Sequence, residues 1–123
     1  MSTLRFLSAL LPIMALAACE DSTSPSAATE VSMVKSRGEL IAREACAQCH
    51  GPDFYGQTVG SMACPSLSVV MSLSFDAFDA KLTEMTAGED AAMAAAAAVI
   101  QALSPEDRRA LHLYLAAERA EKQ

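Results

Sequence analysis

Apolar and polar positions divide the chain into an apolar start, a polar stretch and a helical remainder. Residues 6–18 are almost entirely apolar, whereas residues 20–34 are rich in Ser, Thr, Ala and acidic residues. Beyond them Ala, Leu, Met, Glu and Arg dominate and clustered β-branched residues are scarce, which favours helices over strands. We expect helices at about 36–46, 75–85, 90–102 and from Ser104 onward, with a long loop over 51–74.

The last helix is the most clearly marked. Ser104 stands at the N-cap, Pro105 takes the first helical position and Asp107 completes a capping-box-like pattern. Leu111 and Tyr114 then lie on one apolar stripe. The pattern predicts a helix that closes the domain and buries this stripe.

Large apolar side chains are few for a domain of this size. The chain has no Trp, and the small alanines bury little area each. The loop over 51–74 is rich in glycine and serine. A loop of this length is unusual in a small domain and indicates that it packs around a bound group. A bulky apolar cofactor that supplies part of the core would stabilise such a domain.

The apolar start is too short to span a bilayer comfortably, and together with Arg5 it predicts a signal peptide over residues 1–18. Its end, Leu16-Ala17-Ala18-Cys19, resembles the lipobox of bacterial lipoproteins. The resemblance implies that Cys19 becomes the lipidated first residue of the mature protein. The alternative is an ordinary signal peptide cut nearby, which leaves a free thiol.

Residues 19–34 are then expected to form a lipid-anchored flexible tether, and residues 35–123 one small domain. Removal of residues 1–18 takes away one positive charge, that of Arg5, and changes the net charge from −6 to −7. This acidic balance argues against nucleic acid as a partner.

The strongest chemical signal is CAQCHG, from Cys46 to Gly51. The spacing C-x-x-C-H is the attachment signature of haem c. The thiols of Cys46 and Cys49 each suit a thioether to one vinyl group of the porphyrin, and His50 is placed to bind the iron from one face. The motif therefore predicts one covalently attached haem c.

Further residues resemble the class I cytochrome c family of small monohaem proteins. In that family a glycine of the first helix crosses an aromatic residue of the last helix, and Gly38 and Tyr114 stand at the matching positions. Residues 64–67 look like the family's proline-containing segment, and residues 103–118 are similar to its last helix. The resemblance implies an all-α cytochrome c fold, with about four helices wrapped around one haem.

The resemblance also implies a methionine as the second axial ligand. We expect Met93, which lies 43 residues after His50 and 10 before Leu103, with Met85 as the alternative. Five alanines and no proline follow Met93, so it is expected inside a regular helix, where it would serve equally well as core filler. Met62 and Met71 are the other methionines after His50.

Outside the motif, the domain has one more histidine, His112, and one more cysteine, Cys64. We expect His112 at the edge of the buried stripe, as a partly exposed helical histidine that is not a ligand. We expect Cys64 to be a small buried apolar residue, although an intermolecular disulfide through it is an alternative.

Two other site classes compete with haem. A zinc site would use Cys46, Cys49, His50 and Cys64, but it would need two adjacent residues on one tetrahedral ion. A redox disulfide favours a C-x-x-C at the start of a helix after a strand, whereas this one ends a helix. Haem is therefore favoured.

The resulting hypothesis is a lipid-anchored monohaem cytochrome c on the periplasmic side of a bacterial cell envelope. It would carry single electrons between a donor, such as a dehydrogenase or a quinol-oxidising complex, and an acceptor, such as a terminal oxidase. The sequence shows no paired carboxylates or Ser/His/Asp pattern for catalysis, so a carrier is favoured over an enzyme. A cytochrome subunit of a periplasmic oxidoreductase and a haem-based small-ligand sensor are the alternatives.

Overall fold

The structure, a computed structural model, describes residues 26–123. Residues 1–18, Cys19 and the first part of the expected tether lie outside the described residues. Within them the chain forms five α-helices, one two-stranded antiparallel sheet and one 3₁₀ turn. In chain order these are α1 (Ala27–Ala45), α2 (Ala47–His50), β1 (Gln57–Val59), β2 (Met62–Cys64), the 3₁₀ turn (Val70–Ser72), α3 (Phe75–Ala87), α4 (Ala94–Gln101) and α5 (Pro105–Glu121).

The expected all-α class is confirmed. Four of the five described helices are those expected from the sequence, and the fifth, α2, is a single turn that contains the end of the C-x-x-C-H motif. Among the described residues, no helix has the length and apolar character needed to cross a membrane.

The helix α1 begins at Ala27 rather than near Ser36. Its first turns therefore occupy residues 27–34, which were expected to be a flexible tether. Ser26 stands at the N-cap, Glu30 lies in the first turn near the positive end of the helix dipole, and Ala and Met favour helix. These first turns are exposed along their whole length.

The helices α1 and α5 cross at Gly38. A Cβ atom at this position would lie 2.7 Å from the Cβ of Tyr114 and would overlap the carbonyl group of Ala110. Only glycine permits this close approach. The crossing brings the buried face of α1, with Ile41 and Ala42, against α5 and completes one side of the core.

The stretch 51–74 is more ordered than the loop that the sequence predicts. Its strands β1 and β2 pair with Gln57 opposite Cys64, and Gly60 takes a positive φ of 61° in the turn between them. Phe54 also has a positive φ, 64°, and its ring is fully buried, in edge-to-face contact with Tyr114 at 6.2 Å between centroids. The burial of this ring fixes the loop against α5.

Candidate haem site

A cavity in the domain takes side chains from all five described helices. Apart from His50 and the two thiols of the motif, its lining is apolar. The lining residues are Ala45, Cys46, Cys49, His50, Leu67, Val70, Phe78, Leu82, Met85, Met93, Ala96, Ile100, Leu111 and Leu115.

The single turn α2 positions the motif at the wall of this cavity. Cys46 ends α1, and its carbonyl oxygen accepts hydrogen bonds from the amides of Cys49 (3.2 Å) and His50 (2.9 Å). Gly51 then ends the turn with a positive φ of 87°, which favours glycine. The local backbone thus brings both thiols and the imidazole to one surface.

His50 is held in a defined tautomer. Its Nδ1 lies 2.6 Å from the carbonyl oxygen of Pro65. Because a carbonyl oxygen only accepts, Nδ1 must carry the proton, and Nε2 keeps its lone pair for a metal. The imidazole is buried, so this hydrogen bond also fixes the plane of the ring.

Within the described residues, the cysteines are free of disulfide bonds. Cys46 is buried, and burial, with a smaller effect of Cys49, raises the pKa of its thiol to about 11. The Cys46 thiol is therefore uncharged at neutral pH and adds no charge to the apolar cavity. Cys49 is half-buried, and it lines both the cavity and a neighbouring surface cleft.

Met93 and Met85 line the cavity, whereas Met71 and Met62 do not, although Met62 lines a neighbouring cleft with Cys49, His50 and Met93. Met71 is almost fully buried in the core outside the cavity lining, and Met62 is 39% exposed on β2. The choice between Met93 and Met85 stays a prediction.

Met93 does not lie inside the alanine helix, because α4 begins one residue after it. Oδ1 of Asp90 accepts a hydrogen bond from the amide of Ala92 at 2.9 Å, and the carbonyl of Asp90 accepts one from the amide of Met93 at 3.0 Å. Such bonds from an Asp side chain compete with helix formation. Met93 therefore lies in the turn that leads into α4, at the N-cap, and its carbonyl oxygen accepts the first hydrogen bond of that helix, from the amide of Ala97 at 2.7 Å.

His112 lies outside the cavity lining and is partly buried at the edge of α5. Its Nε2 is 2.9 Å from the carbonyl oxygen of Leu73, and its ring packs on Phe75 and Phe78. This position agrees with the expected structural role.

Cys64 is partly exposed rather than buried. It ends β2 beside Cys49, at an opening that Pro65 and Met93 also line. Partial burial and the neighbouring Cys49 thiol raise the pKa of Cys64. In the described part of the chain, no group of three or more His, Cys, Asp or Glu side chains is arranged to hold a metal ion, and this includes the four residues of the alternative zinc site.

The sequence did not predict the bond from His50 to the carbonyl of Pro65. In the sequence, the segment 64–67 stands out only by its resemblance to a proline-containing segment of the family, and a backbone acceptor leaves no side-chain signal. The hydrogen bond between His50 and Pro65 nevertheless acts directly on the site, because it determines which nitrogen of the imidazole stays free for a metal.

The residues present fit a haem c. The cavity offers two unpaired thiols at the motif spacing, an imidazole with a free Nε2, two methionine sulfurs and apolar walls. Such side chains would suit a macrocycle with apolar faces, two vinyl groups and one iron atom.

Comparison with known proteins agrees with this chemistry. The family model described as Cytochrome c matches residues 36–117, which extend from the α1 residues just before Gly38 to near the end of α5. No curated protein and no solved structure gave a significant match. The chain therefore belongs to the cytochrome c family, whose members bind a covalently attached haem c.

Proposed function

We propose that this cytochrome c domain is a one-electron carrier tethered by lipid on Cys19 to a membrane, on the periplasmic side of a bacterial cell envelope. The observation that best supports the carrier role is the cavity lining, which combines His50 with the methionines Met93 and Met85. A histidine and a methionine from this lining would together hold the iron of a haem and leave no ligand position for a substrate.

The protein's own residues set the properties of this site. His50 presents Nε2 from one wall, and the bond to Pro65 raises the basicity of the imidazole. Met93 would supply the second ligand, and a methionine sulfur would favour the reduced state. The bound haem supplies the one-electron chemistry. The apolar lining excludes water and favours a relatively positive potential.

The surface around Cys49 is the proposed docking site for redox partners. Two surface clefts share Cys49 in their lining. Among the described residues that line them, Asp90 and Glu44 are the only acidic ones and there is no Lys or Arg. The surroundings are small or apolar, including Ala92 and Val99. An apolar centre with carboxylates at its edge fits a partner whose matching surface is apolar with basic residues around it.

The proposed partners are a dehydrogenase or a quinol-oxidising complex as electron donor, and a terminal oxidase as acceptor. Long-range attraction between the acidic edge and a basic partner would speed the encounter at low ionic strength. The tether would keep the protein close to membrane-bound partners.

Electron exchange with a small cationic redox reagent tests the docking surface. We expect the second-order rate to fall as ionic strength rises, and to fall in Glu44→Gln and Asp90→Asn at low salt. Glu106→Gln, an exposed carboxylate on α5 away from Cys49, is the matched control. Equal rates for all three variants, or a rate indifferent to salt, would remove the electrostatic part of the proposal.

A further inference from the structure

A second apolar groove lies on the outer side of α5, where the first turns of α1 pass over it. We call it the α1/α5 groove. Its apolar walls are Ala27, Val31, Val34, Leu113 and Ala117, with Glu30 and Lys35 at its edge. Val31 is 69% exposed and Leu113 is 51% exposed, so the groove presents apolar side chains to its surroundings.

The groove is on the opposite side of α5 from the haem cavity. Leu111 and Leu115 line the cavity, whereas Leu113 and Ala117 line the groove. Since successive helical residues are rotated by about 100°, residue 113 points away from residues 111 and 115. A surface that covers the groove therefore leaves the haem cavity and the Cys49 surface uncovered.

The first turns of α1 reach beyond the family domain. The family match begins at residue 36, and residues 26–37 are all exposed. An isolated helix of this length is marginal in water unless an apolar face is covered. Contiguous exposed apolar side chains are typical of an interaction surface.

We propose that the α1/α5 groove docks on the lipid surface of the membrane that holds the protein. This inference rests on the proposed lipid attachment at Cys19. Cys19 lies seven positions before Ser26, a distance of at most roughly 25 Å for an extended chain. Ala27, the first residue of α1, is itself part of the groove, so the chain from the anchor reaches the domain at the groove's edge.

The short connection explains why a small apolar surface is sufficient. Docking of an anchored domain is an intramolecular event with a high effective concentration, so weak contacts suffice to orient it. Val31, Val34 and Leu113 would enter the interfacial layer, where apolar helix faces lie about 5–10 Å into the headgroup and acyl boundary. The Cys49 surface would then face away from the lipid, toward soluble or protruding partners.

Tryptophan fluorescence tests this arrangement, because the chain has no tryptophan of its own. The probes are Val31→Trp and Leu113→Trp, in lipidated holoprotein reconstituted in phosphatidylcholine vesicles with and without bromine on the upper acyl chains. The matched control is Val69→Trp, since Val69 is 71% exposed and lies outside the groove. The ratio of emission with and without bromine cancels quenching by the haem, and the visible spectrum verifies that each variant folds.

We expect bromine to quench both groove probes strongly and to leave the Val69→Trp control nearly unchanged. Equal quenching of all three, or quenching of none, overturns the docking proposal while the anchor stands. Groove probes that are insensitive to bromine in a protein that self-associates on sedimentation would assign the groove to a second copy of the chain.

Failure of the anchor is recognised separately. If no variant floats with the vesicles and mass spectrometry finds the N-terminal peptide without lipid, the proposed tether is wrong. In that case the docking proposal fails with it. If the N-terminal peptide carries lipid but bromine does not quench the groove probes, only the docking proposal is overturned.

Discussion

Gly38 in α1 lies directly against the carbonyl group of Ala110 in α5, with no space between them for a side chain. This contact fixes how closely the two longest helices approach. The same two helices carry Cys46 at the end of α1 and Leu111 within α5, on two walls of the haem cavity. The glycine therefore sets the spacing of the cavity walls as well as the helix packing.

We expect Gly38→Ala to destabilise the holoprotein, although alanine is the better helix former by about 1 kcal/mol. Overpacking at the crossing should outweigh this gain and cost about 1–3 kcal/mol, measured as the free energy of unfolding in urea. Gly88→Ala is the control, because Gly88 has a φ of −74° and its nearest neighbour to an added Cβ is 3.9 Å away. If the Gly38→Ala variant is as stable as this control, the contact is not as close as described.

The cap of α5 gives a second prediction. Oγ of Ser104 accepts a hydrogen bond from the amide of Asp107 at 3.1 Å, whereas Ser26 at the start of α1 makes no capping hydrogen bond with its side chain. Ser104→Ala should lower the free energy of unfolding by about 0.5–2 kcal/mol. Ser26→Ala should change it much less, and equal losses in the denaturation midpoints would contradict the assigned cap.

The ion pair between α1 and α5 gives a prediction of pH dependence. Arg37 donates from Nε to Oδ1 of Asp107 at 2.8 Å and from Nη2 to Oδ2 at 3.0 Å. The hydrogen bonds and charge of Arg37 hold the pKa of Asp107 below its ordinary value of 3.8. A carboxyl group with a lowered folded-state pKa stabilises the fold at pH values above the unfolded pKa, and this contribution disappears as pH falls through the folded one.

We therefore expect Arg37→Gln to be less stable than the unmodified protein at neutral pH, with a modest difference because the Arg37 side chain is about half exposed and solvent weakens the pair. The difference should narrow below pH 3.8 and vanish once Asp107 is protonated in both proteins. Thermal unfolding followed from pH 7 into the acid range measures it. Arg43→Gln, which breaks an exposed pair with Glu39 within α1, controls for loss of a surface charge. If the difference in stability between Arg37→Gln and the unmodified protein stays constant as the pH is lowered, Asp107 is not the source of that difference.

Features set by local rules or by motif spacing were predictable from the sequence. Ser104, Pro105 and Asp107 mark the start of α5 because capping depends on neighbouring residues alone, and the structure places the helix there. The family resemblance predicts the pairing of Gly38 with Tyr114, and the two residues are in contact. The motif residues Cys46, Cys49 and His50 line one cavity as their spacing indicates.

Features that depend on competing or distant contacts were not predictable. The helix α4 starts after Met93 because the side chain of Asp90 bonds the amide of Ala92, an effect that helix propensity does not include. The strands β1 and β2 are three residues each and mostly exposed, so no apolar alternation marks them. The bond from His50 to Pro65 joins residues 15 positions apart through a backbone atom.

The two methionines of the cavity give the last prediction. Met93 comes from the turn before α4 and Met85 from α3, and both line the cavity with His50. Because Met93 lies 43 residues after His50 and 10 before Leu103, where the family resemblance places the ligand, we expect Met93 rather than Met85 to be the axial ligand. Met93→Ala should abolish the near-infrared band of methionine ligation in the oxidised protein and lower the reduction potential, and Met85→Ala should retain both.

Carbon monoxide binding by the reduced protein completes this test, because it distinguishes a carrier from a ligand sensor. An iron with both axial positions filled binds the gas poorly, so we expect little binding by the unmodified protein and by Met85→Ala. Met93→Ala opens the position and should bind it readily. The opposite result for the two variants would assign the ligand to Met85. Ready binding by the unmodified protein would mean that neither sulfur occupies the sixth position, and the electron-carrier proposal would give way to ligand sensing.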